Sequence, residues 1–196
     1  MKNRIITINR EYSSGGGNIA KKTAEILGIP CHDSDIIDIL AAGGEFAEKF
    51  IVENGEYAVY KSKLFELLTS KDNGGQSAQD RLYAAQAELI RKLAAEGPCV
   101  IVGRCAEYIL RDSVKLMRVF VHAEMPARIA MLKEEFGNSI ENPEQYLRDR
   151  DARRKAYYFA HTDIEWSALA NYDLVVDSKF GIDACAKTIA HLYKTL

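Results

Sequence analysis

The sequence predicts an α/β fold, a three-layer α/β/α arrangement around a central parallel sheet of about five strands. Three observations lead to it. Short apolar runs such as Ile5–Ile8 and Cys99–Val102 alternate with stretches of helical period along the 196 residues. These runs carry little polar alternation, as in strands covered on both faces. The first run also passes through a loop of three glycines directly into a helical pattern, which is the strand–loop–helix layout of a phosphate-binding turn.

Taken in order, Arg4–Asn9 reads as a buried strand and Gly17–Leu27 as a helix closed by Gly28 and Pro30. Pro30–Asp33 reads as a short second strand, and Ser34–Ala42 as a helix that Ser34 caps. The pattern is less regular from Gly43 to Gly75, where Gly43-Gly44 and Asn73-Gly74-Gly75 break the chain around a helix at Glu56–Thr69. Ser77-Ala78-Gln79-Asp80 has capping-box character and opens a long helix that ends near Glu96-Gly97-Pro98. A strand at Cys99–Val102, a helix at Cys105–Leu110 and a strand at Leu116–His122 follow. Met125–Phe136 is helical up to Gly137, and Pro143–Ala160 forms a further helix. Leu174–Val176 is the last strand and Ile182–Tyr193 the closing helix. Residues 1–196 are expected to form a single domain.

Hydrophobic residues make up 47% and charged residues 28%, which excludes extensive disorder. A net charge of -2 supplies no general attraction for nucleic acid. No apolar run approaches the roughly 20 residues needed to span a membrane. Met1-Lys2-Asn3-Arg4 enters the first strand without the apolar stretch of a signal peptide. Cys31, Cys99, Cys105 and Cys185 show neither a C-x-x-C pair nor a histidine at ligand spacing, so reduced core thiols of a cytoplasmic protein are expected. His32, His122, His161 and His191 are dispersed and read as structural.

Three constellations carry chemistry. The first is the loop Arg10-Glu11-Tyr12-Ser13-Ser14-Gly15-Gly16-Gly17-Asn18. Against the P-loop pattern G-x-x-x-x-G-K-[ST], Gly16 stands where the lysine is expected and Gly17 where the magnesium-binding hydroxyl is expected. Arg10–Ser14 leave room to arch over a phosphate. Ser13, Ser14 and the amides of Gly15, Gly16, Gly17 and Asn18 are candidate donors to its oxygens. Arg10 is the candidate for the missing positive charge, whereas Lys21 and Lys22 lie a helical turn deeper. A glycine turn that merely opens a helix is the plainer alternative, and the strand before it weighs for phosphate. The same residues fit G-x-G-x-x-[GA], with Asp33 or Asp35 placed ~20 residues on, where a ribose-binding acid belongs. The five residues between strand and Gly15 count against that dinucleotide reading.

The second constellation is Val100-Ile101-Val102-Gly103-Arg104, which puts a guanidinium at the carboxyl edge of the sheet. An arginine at a helix start opposes the helix dipole, which favours an anionic partner over a plain surface position. The third is Arg148-Asp149-Arg150-Asp151-Ala152-Arg153-Arg154-Lys155, where Arg150 and Arg154 share a helix face with Arg153 beside them. Such a row suits the charge of a transferring phosphoryl group. The interleaved Asp149 and Asp151 suit equally a solvated, salt-bridged helix. Lys61 and Lys63 fit either an acceptor-binding or a solvated face.

Ile6-Thr7-Ile8-Asn9-Arg10-Glu11-Tyr12-Ser13-Ser14-Gly15-Gly16 resembles the "I-T-I-S-R-E-Y-G-S-G-G" opening of the cytidylate kinase-like proteins. Gly97 through Ala106 resembles their central strand, Asp151 through Tyr158 their "D-x-x-R-x-x-Y-Y" helix, and Trp166 to Leu174 their approach to the last strand. The resemblance implies the P-loop nucleoside monophosphate kinase fold, in a branch that lacks the Walker lysine. It implies a donor-phosphate loop at Ser13–Asn18, an acceptor-side arginine at Arg104, and lid or catalytic arginines among Arg148, Arg150 and Arg154. Asp33 joins Arg104 as a substrate-binding candidate. An acceptor region at about 34–96 and a lid at about 138–162 follow from it as well. The implied reaction passes the γ-phosphoryl of ATP to CMP or dCMP, with Mg²⁺ bridging donor phosphates and Glu11 as a candidate metal contact. This chain departs in Ser13, where the family usually shows glycine, and in Gly17-Asn18, where it often carries a charged pair. A nucleotide-binding protein without transfer is the alternative, and a dinucleotide-dependent oxidoreductase the more distant one. The expected partners are small-molecule nucleotides; oligomeric state is not predicted.

Overall fold

The computed structural model describes residues 4–42, 78–112 and 115–196. Strand β1 (Arg4–Arg10) leads into helix α1 (Gly16–Leu27), then β2 (Cys31–His32) and α2 (Asp35–Ala42). Helix α3 (Ala78–Glu96), β3 (Cys99–Val102), α4 (Ala106–Leu110) and β4 (Lys115–His122) follow. Helices α5 (Met125–Phe136) and α6 (Pro143–Thr162), strand β5 (Leu174–Asp177) and helix α7 (Ile182–Tyr193) complete the described strands and α-helices, with short 3-10 turns at Leu169–Asn171 and Ser178–Phe180. The predicted helix at Glu56–Thr69, with Lys61 and Lys63, lies outside the described residues, as does Ser77 of the capping box. The five strands are all parallel, in the order β2-β3-β1-β4-β5. The fold is thus the α/β arrangement expected. Its order separates β1 from β2 by β3, unlike the 3-2-1-4-5-6 order of the dinucleotide-binding fold.

Side-chain parity along β1 builds both covering layers. Ile6 and Ile8 face one layer with Ile19, Ala20 and Ala24 of α1 and Cys185 and Ile189 of α7. Ile5 faces the other, with Ala87, Ile90 and Ala94 of α3 and Tyr157 and Tyr158 of α6. Period two then puts Arg10 beneath α1 and Asn9 on the opposite face. Asn9 Nδ2 donates to Glu107 Oε1 of α4 at 2.7 Å and to the Tyr172 hydroxyl at 3.2 Å. Tyr172 in turn donates to the Trp166 carbonyl at 2.6 Å. Cys99, Cys105 and Cys185 are buried in these layers, and no disulfide joins the four cysteines. No helix among the described residues is long and apolar enough to cross a membrane.

The chain leaves β1 toward one edge of the sheet and β4 toward the other. Right-handed crossovers therefore put the following helices on opposite faces and open a crevice above the carboxyl ends of these two strands. A buried ion-pair network fixes the loop that lines this crevice. Asp151 of α6 accepts the Tyr12 N–H at 2.7 Å and a guanidinium N–H of Arg128 from α5. Arg128 Nε donates to the Tyr12 carbonyl at 2.8 Å, and its Nη1 lies 3.5 Å from Glu11 Oε2. That same carboxylate oxygen accepts the Ala123 N–H at 3.1 Å. Asp151 is therefore no member of a solvated helix face, as the sequence alternative had it. Leu147, Asp151, Arg154 and Tyr158 share the inward face of α6, and all four are buried.

Removing Arg128 strands Asp151 as a buried carboxylate, so Arg128→Ala is expected to cost about 3–5 kcal/mol. Arg148→Ala breaks only the exposed pair with Glu144 and is expected to cost about 0.5 kcal/mol or less. Urea denaturation of both variants measures the difference, and equal losses would contradict the role of the network. A second expectation concerns His161, whose ring lies parallel to Tyr83 at 4.0 Å and edge-on to Tyr157 at 4.7 Å. Burial pushes its imidazole below the ordinary value, with Asp80 opposing the shift weakly. The unfolded chain then binds the proton more readily than the folded one. Stability is full above pH ~6.5 and falls as pH drops from there toward the lowered folded value. His161→Phe should flatten that slope in denaturation curves taken across the window.

Candidate active site

Residues Arg10 through Asn18, Asp33 and Arg154 line one cleft of about 630 Å³ at the carboxyl ends of β1 and β4. Lys21 from α1, Met131, Glu134 and Glu135 from α5, and Ile182 from α7 complete its wall. Helix α1 presents its N-terminus here. Gly15 is its left-handed N-cap at φ 76°, and no side chain caps the helix. The amides of the first turn, Gly16 to Asn18, thus have no helical acceptor and no capping oxygen, and they carry the positive end of the helix dipole. Ser13 also takes a left-handed φ of 57°. Ser14 does less than expected with its hydroxyl, which donates to the Glu11 carbonyl at 2.9 Å and lies 3.3 Å from the Val121 carbonyl. Its N–H is spent in the same way, on the Glu11 carbonyl at 3.3 Å, so Ser14 braces the loop from within.

Strand β1 runs one residue further than the sequence suggests, because Arg10 pairs in register with Val121. The Arg10 stem consequently lies beneath the first turn of α1. A Cβ at Gly16 would come within 2.5 Å of Arg10 Cβ, 2.9 Å of its Cγ and 3.3 Å of Val121 Cβ. No side chain fits at position 16 while Arg10 keeps this place. The Arg10 head reaches toward β2, where its Nη2 lies 3.8 Å from Asp33 Oδ1. Asp33 Oδ2 lies 3.5 Å from where a Cβ of Gly17 would stand.

The three candidate arginines of α6 separate. Arg154 is buried, lines the cleft, and donates from Nη1 to the Arg10 carbonyl at 2.7 Å. Its guanidinium carbon lies 5.2 Å from the Tyr12 ring centre. Arg150 sits at 5.5 Å from the same ring and 4.8 Å from the Tyr146 ring, and donates to the Tyr146 hydroxyl at 2.7 Å. It supports Tyr12 from outside the cleft lining. Arg148 points to solvent in a pair with Glu144 at 2.7 Å. Burial, then the Tyr146 hydroxyl, push the Tyr12 phenol up to about 12, so the ring meets these cations in its neutral form.

Arg104 is not part of this cleft wall. It is buried where β3 meets α4, in a run of three left-handed residues: Gly103 at φ 69°, Arg104 at 58° and Cys105 at 56°. Non-glycine residues held there cost of order 1–3 kcal/mol each and concentrate at ligand sites. Arg104 Nη1 donates to Gln86 Oε1 of α3 at 3.3 Å, and the Tyr157 hydroxyl approaches the same oxygen at 3.5 Å. Gln86 is fully buried, and its Nε2 has no partner among the described residues.

Two carboxylates suited to a cation, Glu11 and Asp33, border the loop, Glu11 already engaged by Arg128 and Ala123. Among the described residues no three His, Cys, Asp or Glu side chains gather as a metal site. Sequence reasoning missed Tyr12, Arg128 and Asp151, and set Lys21 aside as too deep. Lys21 follows Gly17 by one helical turn on the same face, which brings it to the wall. Arg128 belongs to no motif, and only the packing of α5 on α6 discloses it.

Solved structures with this fold include an uncharacterised protein of Eubacterium ventriosum, 23% identical with a TM-score of 0.74, covering 98% of this chain and 99% of that one. Shikimate kinase of Acinetobacter baumannii in complex with shikimate is 15% identical with a TM-score of 0.57, covering 100% and 94%. APS kinase CysC of Mycobacterium tuberculosis, in complex with AMPPNP and APS, is 17% identical with a TM-score of 0.53, covering 98% of both chains. No curated protein matches the sequence. The fold is that of the P-loop kinases. The sequence matches the cytidylate kinase-like family over residues 5–179, nearly its whole length, and the chain belongs to that family.

Proposed function

We propose that the protein is an ATP-dependent phosphotransferase that converts a nucleoside monophosphate, CMP or dCMP favoured, to the diphosphate. The observation that carries this reading is the cleft in which uncapped helix amides and two buried arginines, Arg10 and Arg154, line one space at the β1/β4 crevice. Such a space suits a polyphosphate, whose charge is neutralised by fixed dipoles and guanidinium groups without reorganisation. The loop Ser13–Asn18 takes the donor phosphates and Arg154 the transferring group. Transfer to a monophosphate needs no general base, since its second ionisation lies near pH ~6 and the attacking oxygen is already anionic. Mg²⁺, when bound, supplies further neutralisation of the donor phosphates, and Asp33 and Glu11 are the carboxylates that would hold it.

The acceptor end is assigned to Arg104 and Gln86, with residues 34–96 forming the acceptor region and 138–162 the lid of one domain. The strained, buried corner at Arg104 and Gln86 Nε2 beside it, which has no partner among the described residues, support a polar ligand there. Preference for cytosine rests on the family resemblance. Arg150 steadies Tyr12, and Arg148, paired with Glu144 in solvent, is not among the residues that line the cleft.

Incubation with Mg-ATP and a panel of nucleoside monophosphates, following ADP and diphosphate products, tests the assignment. Turnover highest with CMP or dCMP is expected. A protein that binds Mg-ATP yet phosphorylates no nucleotide would establish the binding-only alternative. Arg154→Ala is expected to lower kcat by about 100-fold or more, as for loss of a group that stabilises transition-state charge. Arg104→Ala should chiefly raise the KM for the monophosphate, and Arg148→Ala should change neither constant. Unchanged kinetics in both of the first two variants would refute the site assignment.

A further inference from the structure

We infer that Arg10 and Gly16 are a reciprocal exchange of the two positions that carry the lysine and the first glycine of an ordinary P-loop, so that the donor-phosphate cation enters from β1 instead of from α1. With Gly15 as the second glycine of G-x-x-x-x-G-K-[ST], the first glycine falls on Arg10 and the lysine on Gly16. The ordinary loop has no side chain at the first position and a long cation at the other. This chain has the long cation at the first and no side chain at the other. The two positions compete for one volume, because a Cβ at Gly16 would lie 2.5 Å from Arg10 Cβ and 2.9 Å from its Cγ. A lysine stem at 16 and an arginine stem at 10 therefore exclude each other.

Arg10 is suited to the exchanged role. It is 5% exposed, lines the cleft with the glycine amides, and has its carbonyl held by Arg154 at 2.7 Å. Asp33, at 3.8 Å, orients the guanidinium on the side of the cleft toward β2. A guanidinium presents a planar fork of donors where an ammonium is a point charge. The donor phosphates are accordingly gripped by a fixed fork beneath the loop. The inference rests on the donor-phosphate reading above, and its test separates the two.

Four variants are compared with wild type for Mg-ATP affinity by calorimetry and for melting temperature: Arg10→Met, Arg10→Gly, Gly16→Lys, and the double variant Arg10→Gly with Gly16→Lys. Arg10→Met keeps the stem and removes the charge. It should weaken Mg-ATP binding by about tenfold or more with the melting temperature little changed. Gly16→Lys alone should lower the melting temperature by about 4 °C or more. The double variant should recover that stability and bind Mg-ATP more tightly than Arg10→Gly. Undiminished binding by Arg10→Met overturns the inference. So does a Gly16→Lys protein as stable as wild type, or a double variant that stays unstable or binds no better than Arg10→Gly. Wild type that binds no Mg-ATP overturns the donor-site reading itself, whereas the other failures leave that reading standing.

Discussion

The side-chain parity of β1 is the constraint on which the rest depends. A strand buried on both faces must send alternate residues into different layers, and each residue of Ile5–Arg10 is committed by its neighbour. Ile6 and Ile8 bind the sheet to α1 and α7, so Arg10 continues under α1. Ile5 turns to the other layer, so Asn9 joins Glu107 and Tyr172 there. The floor of the cleft and its polar underpinning thus follow from one strand. A one-residue slip would place Asn9 under the glycine turn and bury the Arg10 guanidinium among the aromatic residues of the opposite layer.

Above that floor, the loop owes its shape to partners far away in sequence. Both backbone polar groups of Tyr12 are held by α5 and α6, through Arg128 and Asp151. The Tyr12 ring then meets the guanidinium groups of both Arg150 and Arg154. One buried cation between two carboxylates ties β1, β4, α5 and α6 together at the mouth of the cleft. Helix packing and loop conformation are coupled there, and a shift of α6 would carry Arg154 and the Tyr12 backbone with it.

Much of the fold was legible because the signals are local. Apolar runs mark every strand but the two-residue β2, glycines and prolines mark the ends of helices, and predicted boundaries differ from the observed ones by only one or two residues in most elements. The end of β1 shows where local reading stops. Arg10 reads as loop because it is charged, yet it belongs to the strand because β4 continues alongside it to Val121. The arginine-rich stretch of α6 shows the same limit. Spacing put Arg150 and Arg154 on one face, but it could not say that Arg154 enters the cleft, that Arg150 stays behind Tyr12, or that Asp151 is buried beside them.

The sequence by itself determined the α/β class, the glycine turn between β1 and α1, and the family, since all three lie in contiguous residues and their spacing. It also showed that a lysine was missing from Gly16. Only the tertiary structure decided why. The stem of Arg10, six residues earlier, occupies the volume that a side chain at 16 would need, and that competition exists only once β1 and α1 are packed together. The same holds for Lys21, Arg128, Asp151 and Gln86, which gain their roles from neighbours that the chain brings together only on folding. Sequence records order along one dimension, whereas exclusion and burial are properties of space.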